Sequence, residues 1–330
     1  MINQPPSAGT AGEEAEPVRR GFSSLAAGGL DWDCLPLRLY VKGNRKFWNP
    51  ADIDFTQDRD DWAALPAPMR AAFTGLGAMF LGGEEAVTRD LQPFMTAMAA
   101  EGRFADEIYL TQFCFEEGRH VEVFRRWLDA VGVTHDLNAV MASNPGYLKI
   151  FHEVLPRALR QLTYDPGPAS QVRASVTYNH VVEGTLALTG YHAWNLVCER
   201  LGIFPGMRQV IARIGDDERR HMAWGTYTCR RHVAAYDEMF HVARKQLRSL
   251  LPHAIHMIQT SARQYPFDLI GVSAQELLLY ATGRTQRRMR AIESARGSVA
   301  GTAEADRIPE LLEDSFARED SHLLAPAGTL

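Results

Sequence analysis

One short signal occurs twice in the sequence. Glu117-Gly118-Arg119-His120 and Glu218-Arg219-Arg220-His221 each set a carboxylate and an imidazole three residues apart, in stretches of helical periodicity. At i and i+3 on a helix the two side chains leave one face about one turn apart, so both reach a single metal ion. Two such helices face to face make a pocket for two metals, completed by one further carboxylate from each of two other helices. Glu84 and Glu183 stand in those places. The order lone Glu, ExxH, lone Glu, ExxH, each on its own long helical segment, points to an all-α protein with a four-helix core.

A Glu and a His three apart are common, and charged pairs on solvated helix faces are the alternative reading. That alternative must also explain the lone carboxylates. Glu84 lies in GAMFLGGEEAV and Glu183 in NHVVEGTLALTG, both largely apolar. A carboxylate on an apolar helix face is costly unless a cation stands beside it. Four carboxylates and two imidazoles suit iron or manganese and are poorly suited to copper(I) or a thiolate cluster. Their four negative charges balance two divalent cations, so the loaded site is neutral while buried. Ligand type does not choose between iron and manganese.

Composition narrows the remaining classes. Of 330 residues, 46% are hydrophobic and 23% charged, which supplies a sizeable core and does not read as disorder. A net charge of -5 gives no general attraction to nucleic acid or anionic lipid. Cys34, Cys114, Cys198 and Cys229 form no CxxC pair, which argues against a zinc knuckle and fits free thiols in a reducing compartment. The first twenty residues carry no apolar region of a secretory signal, and no run approaches the ~18 apolar residues of a membrane span. A cytoplasmic location is expected.

Along the chain, residues 1–30 read as a mobile arm, 31–296 as one helical domain and 297–330 as a loosely structured tail. The stretch 35–62 mixes aromatics, Pro and Asp without a sustained period and is expected to wrap the bundle as irregular chain. Helix is expected from Pro66 to about Ala100, kinked or broken at Pro93, and carries Glu84. A second helix, 103–131, carries Glu117 and His120 and stops at Gly132. A shorter helix ends near Leu162, before a break at 165–168. The third, 170–201, carries Glu183 and ends at Gly202. The fourth, from Pro205 to about Ala235, carries Glu218 and His221, and helices over 236–264 and 274–295 cover the outside. The basic stretch 283–296 reads as a solvated helix face.

Residues 47–62, FWNPADIDFTQDRDDW, together with the ligand order, resemble the small-subunit family of ribonucleotide reductase over roughly residues 47–235. Two details draw the resemblance towards the R2-like ligand-binding oxidases. Val87 stands one turn after Glu84, and Tyr178 shortly before Glu183. The resemblance implies a ferritin-like bundle with Glu84, Glu117 and His120 at a first metal position, taken by manganese. It implies Glu183, Glu218 and His221 at a second, taken by iron, with a di-iron pair left open. It also implies a long-chain fatty acid whose carboxylate meets the metals in a hydrophobic channel, for which no residue stands out, and an ether bond between Val87 Cβ and the Tyr178 phenol oxygen. A homodimer is compatible with it.

Regular periodicity sits badly with Tyr178. Five residues before Glu183 is about 140° round an ideal helix, so either a π-bulge occurs or the tyrosine reaches in from the side. Asn179 and His180 are better placed by regular spacing, and Tyr191, eight residues after Glu183, is a further candidate to approach the site. The expected activity is an oxygen-activating oxidase that takes hydrogen from an unactivated C–H bond, that of Val87 Cβ included. The alternative is the radical-generating small subunit of a manganese/iron ribonucleotide reductase. Phe124, four residues after His120, stands where a conventional subunit has its radical tyrosine, and so excludes only the tyrosyl type. Trp48 and Asp217 match that family's electron-transfer and ligand-supporting positions and keep the alternative alive, while Asp217 is equally read as a plain hydrogen-bond partner for a ligand histidine. A ferritin-like metal store or a lipid carrier is the non-enzymatic reading.

Overall fold

This computed structural model describes residues 21–264, 272–298 and 303–323. Residues 21–31 belong to a unit of their own with one 3-10 turn, Ser23–Leu25, and residues 1–20 of the expected arm lie outside the described residues. From Trp32 onward a second unit is built of helices, with no strand among the described residues. In order these are α1 (Leu35–Arg45), α2 (Thr56–Ala64), α3 (Ala67–Asp90), α4 (Gln92–Ala100), α5 (Phe104–Ala130), α6 (Asn138–Ala142), α7 (Pro145–Tyr147), α8 (Leu155–Tyr164), α9 (Pro168–Ser175), α10 (Leu188–Leu201), α11 (Pro205–Ala235), α12 (Met239–Gln264), α13 (Ala274–Glu293) and α14 (Ala303–Leu323). Two π-helical segments join some of them end to end: π1 (Leu148–Val154) between α7 and α8, and π2 (Val176–Ala187) between α9 and α10.

Proline and glycine set the main boundaries. α3, entered at Pro66, ends at Asp90 and α4 opens at Gln92, because Pro93 has no N–H to offer the carbonyl of Arg89 four residues back. Gly202 caps α10 in the left-handed conformation at φ +67°, where a Cβ would be strained. Pro205 then opens α11, whose 31 residues span about 45 Å and cross the whole core. The core is formed by α3, α5, α11 and the continuous run α9–π2–α10. Aromatic rings pin α3 to α10, with Phe80 stacked on Tyr191 at 4.5 Å and Phe73 against Trp194 at 5.3 Å.

Three expectations fail, one of them in part: the stretch 283–296, expected as a solvated face, buries Arg284 and Arg288. The stretch 35–62 is largely helical, as α1 and α2, and the tail expected to be loose carries α14. Each is stabilised by tertiary contacts to distant parts of the chain. Leu35, Leu37 and Leu39 of α1 are fully buried, and α14 is held by ion pairs to α1 and α13. In α2 the anchor is Asp58, fully buried, whose carboxylate accepts from Gly206 N at 2.8 Å, Met207 N at 2.9 Å and Trp127 Nε1 at 3.0 Å. It thus satisfies the first amides of α11 from 148 residues away. Phe204, the residue before α11, has no capping side chain and an unfavourable φ of +56°, and Asp61 holds its amide at 2.8 Å. Asp58→Ala strands three donors at once and is expected to lower stability by about 2–4 kcal/mol, read as a lower urea midpoint. An unchanged midpoint would show that the contact adds nothing.

Candidate metal centre

Each of the four core helices brings its carboxylate to the middle of the bundle. Glu84 comes from α3, Glu117 and His120 from α5, Glu183 from π2, and Glu218 and His221 from α11. All six side chains are at most 5% exposed. Their inward atoms fall into two groups in which all ligand atoms lie within 4.8 Å of one another: Glu84, Glu117, His120 and Glu218, and Glu117, Glu183, Glu218 and His221. Glu117 and Glu218 belong to both groups, a sharing that the sequence reading, with three residues to each metal, did not contain.

Both imidazoles point Nδ1 inwards. His120 Nδ1 lies 3.4 Å from Glu84 Oε2, 3.6 Å from Glu117 Oε2 and 3.7 Å from Glu218 Oε1. His221 Nδ1 lies 3.1 Å from Glu117 Oε1, 3.5 Å from Glu183 Oε1 and 3.6 Å from Glu218 Oε2. Yet His120 Nδ1, His221 Nδ1, Glu117 Oε2, Glu183 Oε1 and Glu218 Oε2 are buried without a hydrogen-bond partner. Native interiors rarely leave such atoms unsatisfied, and here they converge on two points. The donor set fits a pair of hard or borderline divalent cations.

The outer imidazole nitrogens are held crosswise. His120 Nε2, on α5, meets Asp217 Oδ2 of α11 at 3.2 Å, and His221 Nε2, on α11, meets Glu116 Oε2 of α5 at 2.9 Å. An Nε2–H donated to a carboxylate fixes the tautomer that leaves the Nδ1 lone pair free for a metal. Arg220 donates to both outer carboxylates, Glu116 and Asp217, at 2.6 Å each. Arg119 adds a 2.7 Å bond to Asp217 Oδ2, which also accepts from Trp48 Nε1 at 2.9 Å. Two arginines therefore pair with the outer carboxylates, and the inner four are left to face the centre. Glu116, Arg119 and Arg220 were missed from sequence. The signal was present, since the repeat extends beyond ExxH to EEGRH and DERRH, an acid before each Glu and an arginine before each His.

Two phenols complete the site. Tyr178 OH donates to Glu117 Oε1 at 2.8 Å, and Tyr191 OH donates to Glu84. The π register resolves the spacing of Tyr178: with i to i+5 pairing, residues five apart share a face, so Tyr178 and Glu183 both face the centre. Asn179 Nδ2 holds Glu183 Oε2 at 2.9 Å. His180 lies outside both groups; burial, and then the Arg288 cation, push it down to about 3, so it is neutral. Phe124, fully buried, stacks on Phe80 at 5.3 Å. Val87, 3% exposed, lines an apolar cleft that reaches Glu84, Glu117, Glu183 and Glu218.

Burial raises the pKa of Glu84 to about 7, and raises Glu183 and Glu218 as well. It opposes charge on both imidazoles but is outweighed there. Asp217, Glu117 and Glu84 hold His120 well above its usual value, and Glu116, Glu117, Glu183 and Glu218 do the same for His221. The crowded carboxylates thus take up protons that a metal must displace. Affinity should then rise with pH, about tenfold per unit for each proton released while the pH is below that group's value. Calorimetric titration with manganese(II) at about pH 6 and pH 8 checks the sign, and equal affinity at both would contradict it.

The sequence matches the ribonucleotide reductase small-chain family over residues 36–296. Among solved structures it is similar to an R2-like ligand-binding oxidase from Sulfolobus acidocaldarius, at 34% identity and a TM-score of 0.78, covering 87% of this chain and 98% of that one. It is likewise similar to an R2-like ligand-binding oxidase with an aerobically reconstituted Mn/Fe cofactor, at 34% identity and a TM-score of 0.79, covering 86% and 100%. A tyrosine-to-phenylalanine variant with the same cofactor aligns at 35% identity and 0.79, covering 83% and 98%.

Proposed function

Because the chain belongs to the ribonucleotide reductase small-chain family, and within it to the R2-like ligand-binding oxidases, we propose that it is a dinuclear manganese/iron oxidase that uses dioxygen. The convergence of unpartnered inward atoms from Glu117, His120, Glu183, Glu218 and His221 carries the reading. Glu84, Glu117 and His120 would hold the first metal, manganese, and Glu183, Glu218 and His221 the second, iron, with Glu117 and Glu218 in reach of both positions. When bound, the metal pair supplies the reduction of dioxygen and an oxidant for C–H bonds.

The residues of the chain do the rest. Asp217 and Glu116 orient the two imidazoles, Arg220 holds both acids in place, and Arg119 holds Asp217. The stacked rings of Phe80, Phe124 and Tyr191 give the Glu84 side an apolar wall. Tyr178 presents its hydroxyl on Glu117, which accepts that proton's hydrogen bond, and Val87 faces the cleft one turn beyond Glu84. The internal product is an ether between Val87 Cβ and the Tyr178 oxygen. Forming it breaks one C–H and one O–H bond, and the two electrons and two protons released are accepted by dioxygen. A tertiary C–H yields the more stabilised radical, which makes valine a sensible donor.

The cleft supports a lipid ligand. It measures about 840 Å³ with its solvent-open part included and is walled by Leu76, Met79, Phe151, Leu186, Met257 and Ile258, with carboxylates only at its inner end. A long-chain fatty acid fits that polarity, with its carboxylate at the metals. One observation favours a reductase subunit instead, the hydrogen-bonded chain Trp48–Asp217–His120 from near the surface to the centre. Peptide mapping of protein assembled with iron(II) and manganese(II), with and without air, decides between them. A Val87 peptide joined to a Tyr178 peptide only after air supports the oxidase. Separate peptides on protein carrying two metals would turn the reading to the reductase.

A further inference from the structure

We propose that Arg288 is a positioning residue for π2, so that the C-terminal helix α14 sets the geometry at Glu183 and Tyr178; this deepens, and rests on, the dinuclear-centre reading. Arg288 lies on α13 and is 1% exposed. Its Nη1 donates to Gly184 O at 3.1 Å, the carbonyl of the residue that follows Glu183. Its Nε and Nη2 donate to the two oxygens of Glu313 on α14, both at 2.7 Å, and Phe316 of α14 lies 4.9 Å from the guanidinium. Burying this fork is costly, and its planar geometry fixes the direction of the remaining N–H.

That N–H points where the helix needs a donor. Leu188 N–H, at the end of π2, donates to Glu183 O five residues back, and α10 then resumes four-residue pairing. A return from i+5 to i+4 pairing leaves a carbonyl at the junction short of an intrahelical donor. Arg288 supplies one at Gly184. One turn back on α13, Thr285 Oγ1 meets Thr185 Oγ1 at 2.9 Å, and Thr185 Oγ1 donates to His180 O at 2.7 Å, five residues earlier. The π register is thus held from outside by one face of α13. Gly184 admits the contact: a Cβ there would lie 3.0 Å from Arg288 Nη1, 2.9 Å from Asn179 O and 2.7 Å from Met222 Cε. Since π pairing is what turns Tyr178 and Glu183 to one face, loss of the Gly184 contact should loosen both.

The test compares Arg288→Gln with Arg287→Gln. Arg287 also binds α14, through Glu319 at 2.6 Å and Ser315 at 2.9 Å, but reaches no residue of π2 in these bonds. Hydrogen exchange of the 176–187 peptide in metal-free protein should speed up about tenfold in Arg288→Gln and stay unchanged in Arg287→Gln. On loading, Arg288→Gln should bind the second metal equivalent about tenfold more weakly, with the first unaffected, and an altered electron paramagnetic resonance spectrum of the loaded pair. If Arg288→Gln does not fold by circular dichroism, Arg288→Lys carries the same expectation in reduced size, because one ammonium cannot span the Glu313 fork and the Gly184 carbonyl. Unchanged exchange of 176–187 in the folded variant, or equal effects from the two positions, would overturn the proposal. Wild-type protein that takes up no metal would instead overturn the dinuclear reading, while the exchange comparison still decided on Arg288.

Discussion

Glu117→Ala is expected to leave the protein with well under one metal per chain, where the wild type takes two. Glu117 is one of the two carboxylates present in both groups of candidate ligands, its Oε2 beside His120 and its Oε1 beside His221 and under the Tyr178 hydroxyl. Truncation removes a donor from each position and also the acceptor of Tyr178, so neither metal keeps its set. Glu183→Ala provides the contrast. Glu183 belongs to one group, and its loss should spare the position built on Glu84 and His120. Elemental analysis of dialysed protein reads both results. A full complement of two metals in Glu117→Ala would remove that residue from the ligand set, and equal loss in the two variants would show that it is not shared.

Val87→Ala and Tyr178→Phe are each expected to abolish the joined peptide altogether while both metals stay bound. Phenylalanine has no oxygen to form the ether. Alanine at position 87 offers only a methyl C–H, a poorer hydrogen donor than the tertiary position of valine. Neither substitution removes a candidate ligand, so metal content separates this failure from loss of the centre. The readout is the mass of the linked peptides, lighter by two hydrogens than their sum, after aerobic assembly. The same link surviving in Val87→Ala would move the donor to another residue.

The two outcomes bear on different parts of the site. The first concerns which atoms hold the metals, and depends on four helices packing in one register. The second concerns chemistry beyond the ligands, and depends on Tyr178 facing the centre at all. That orientation belongs to the π segment: on a regular helix Tyr178 would turn away from Glu183, and Asn179 would take its place. In the structure Asn179 instead serves Glu183 directly, at 2.9 Å.

Much of the site could be read from sequence because its pattern is local. A ligand pair at i and i+3 needs only one helix to be seen, and the long helices that carry the six candidate ligands show themselves by periodicity, by Pro205 at a start and by Gly202 at an end. The short helices α1 and α2 and the tail helix α14 were read as irregular: α2 has no amphipathic period, and α1 and α14 are anchored by burial and ion pairs against distant partners. The crosswise pairs His120–Asp217 and His221–Glu116 join residues 97 and 105 positions apart, and Asp58 reaches the start of α11 from 148 away. The five-residue repeat hinted at the outer acids and arginines, but nothing in it says that each acid serves the histidine of the other helix. The sequence alone determined which side chains are the candidate ligands, since spacing within one helix follows from its backbone geometry. Only the tertiary structure decided that Glu117 and Glu218 are shared and that π2 turns Tyr178 inwards, because both depend on how separate helices pack and on which distant donors satisfy their backbone.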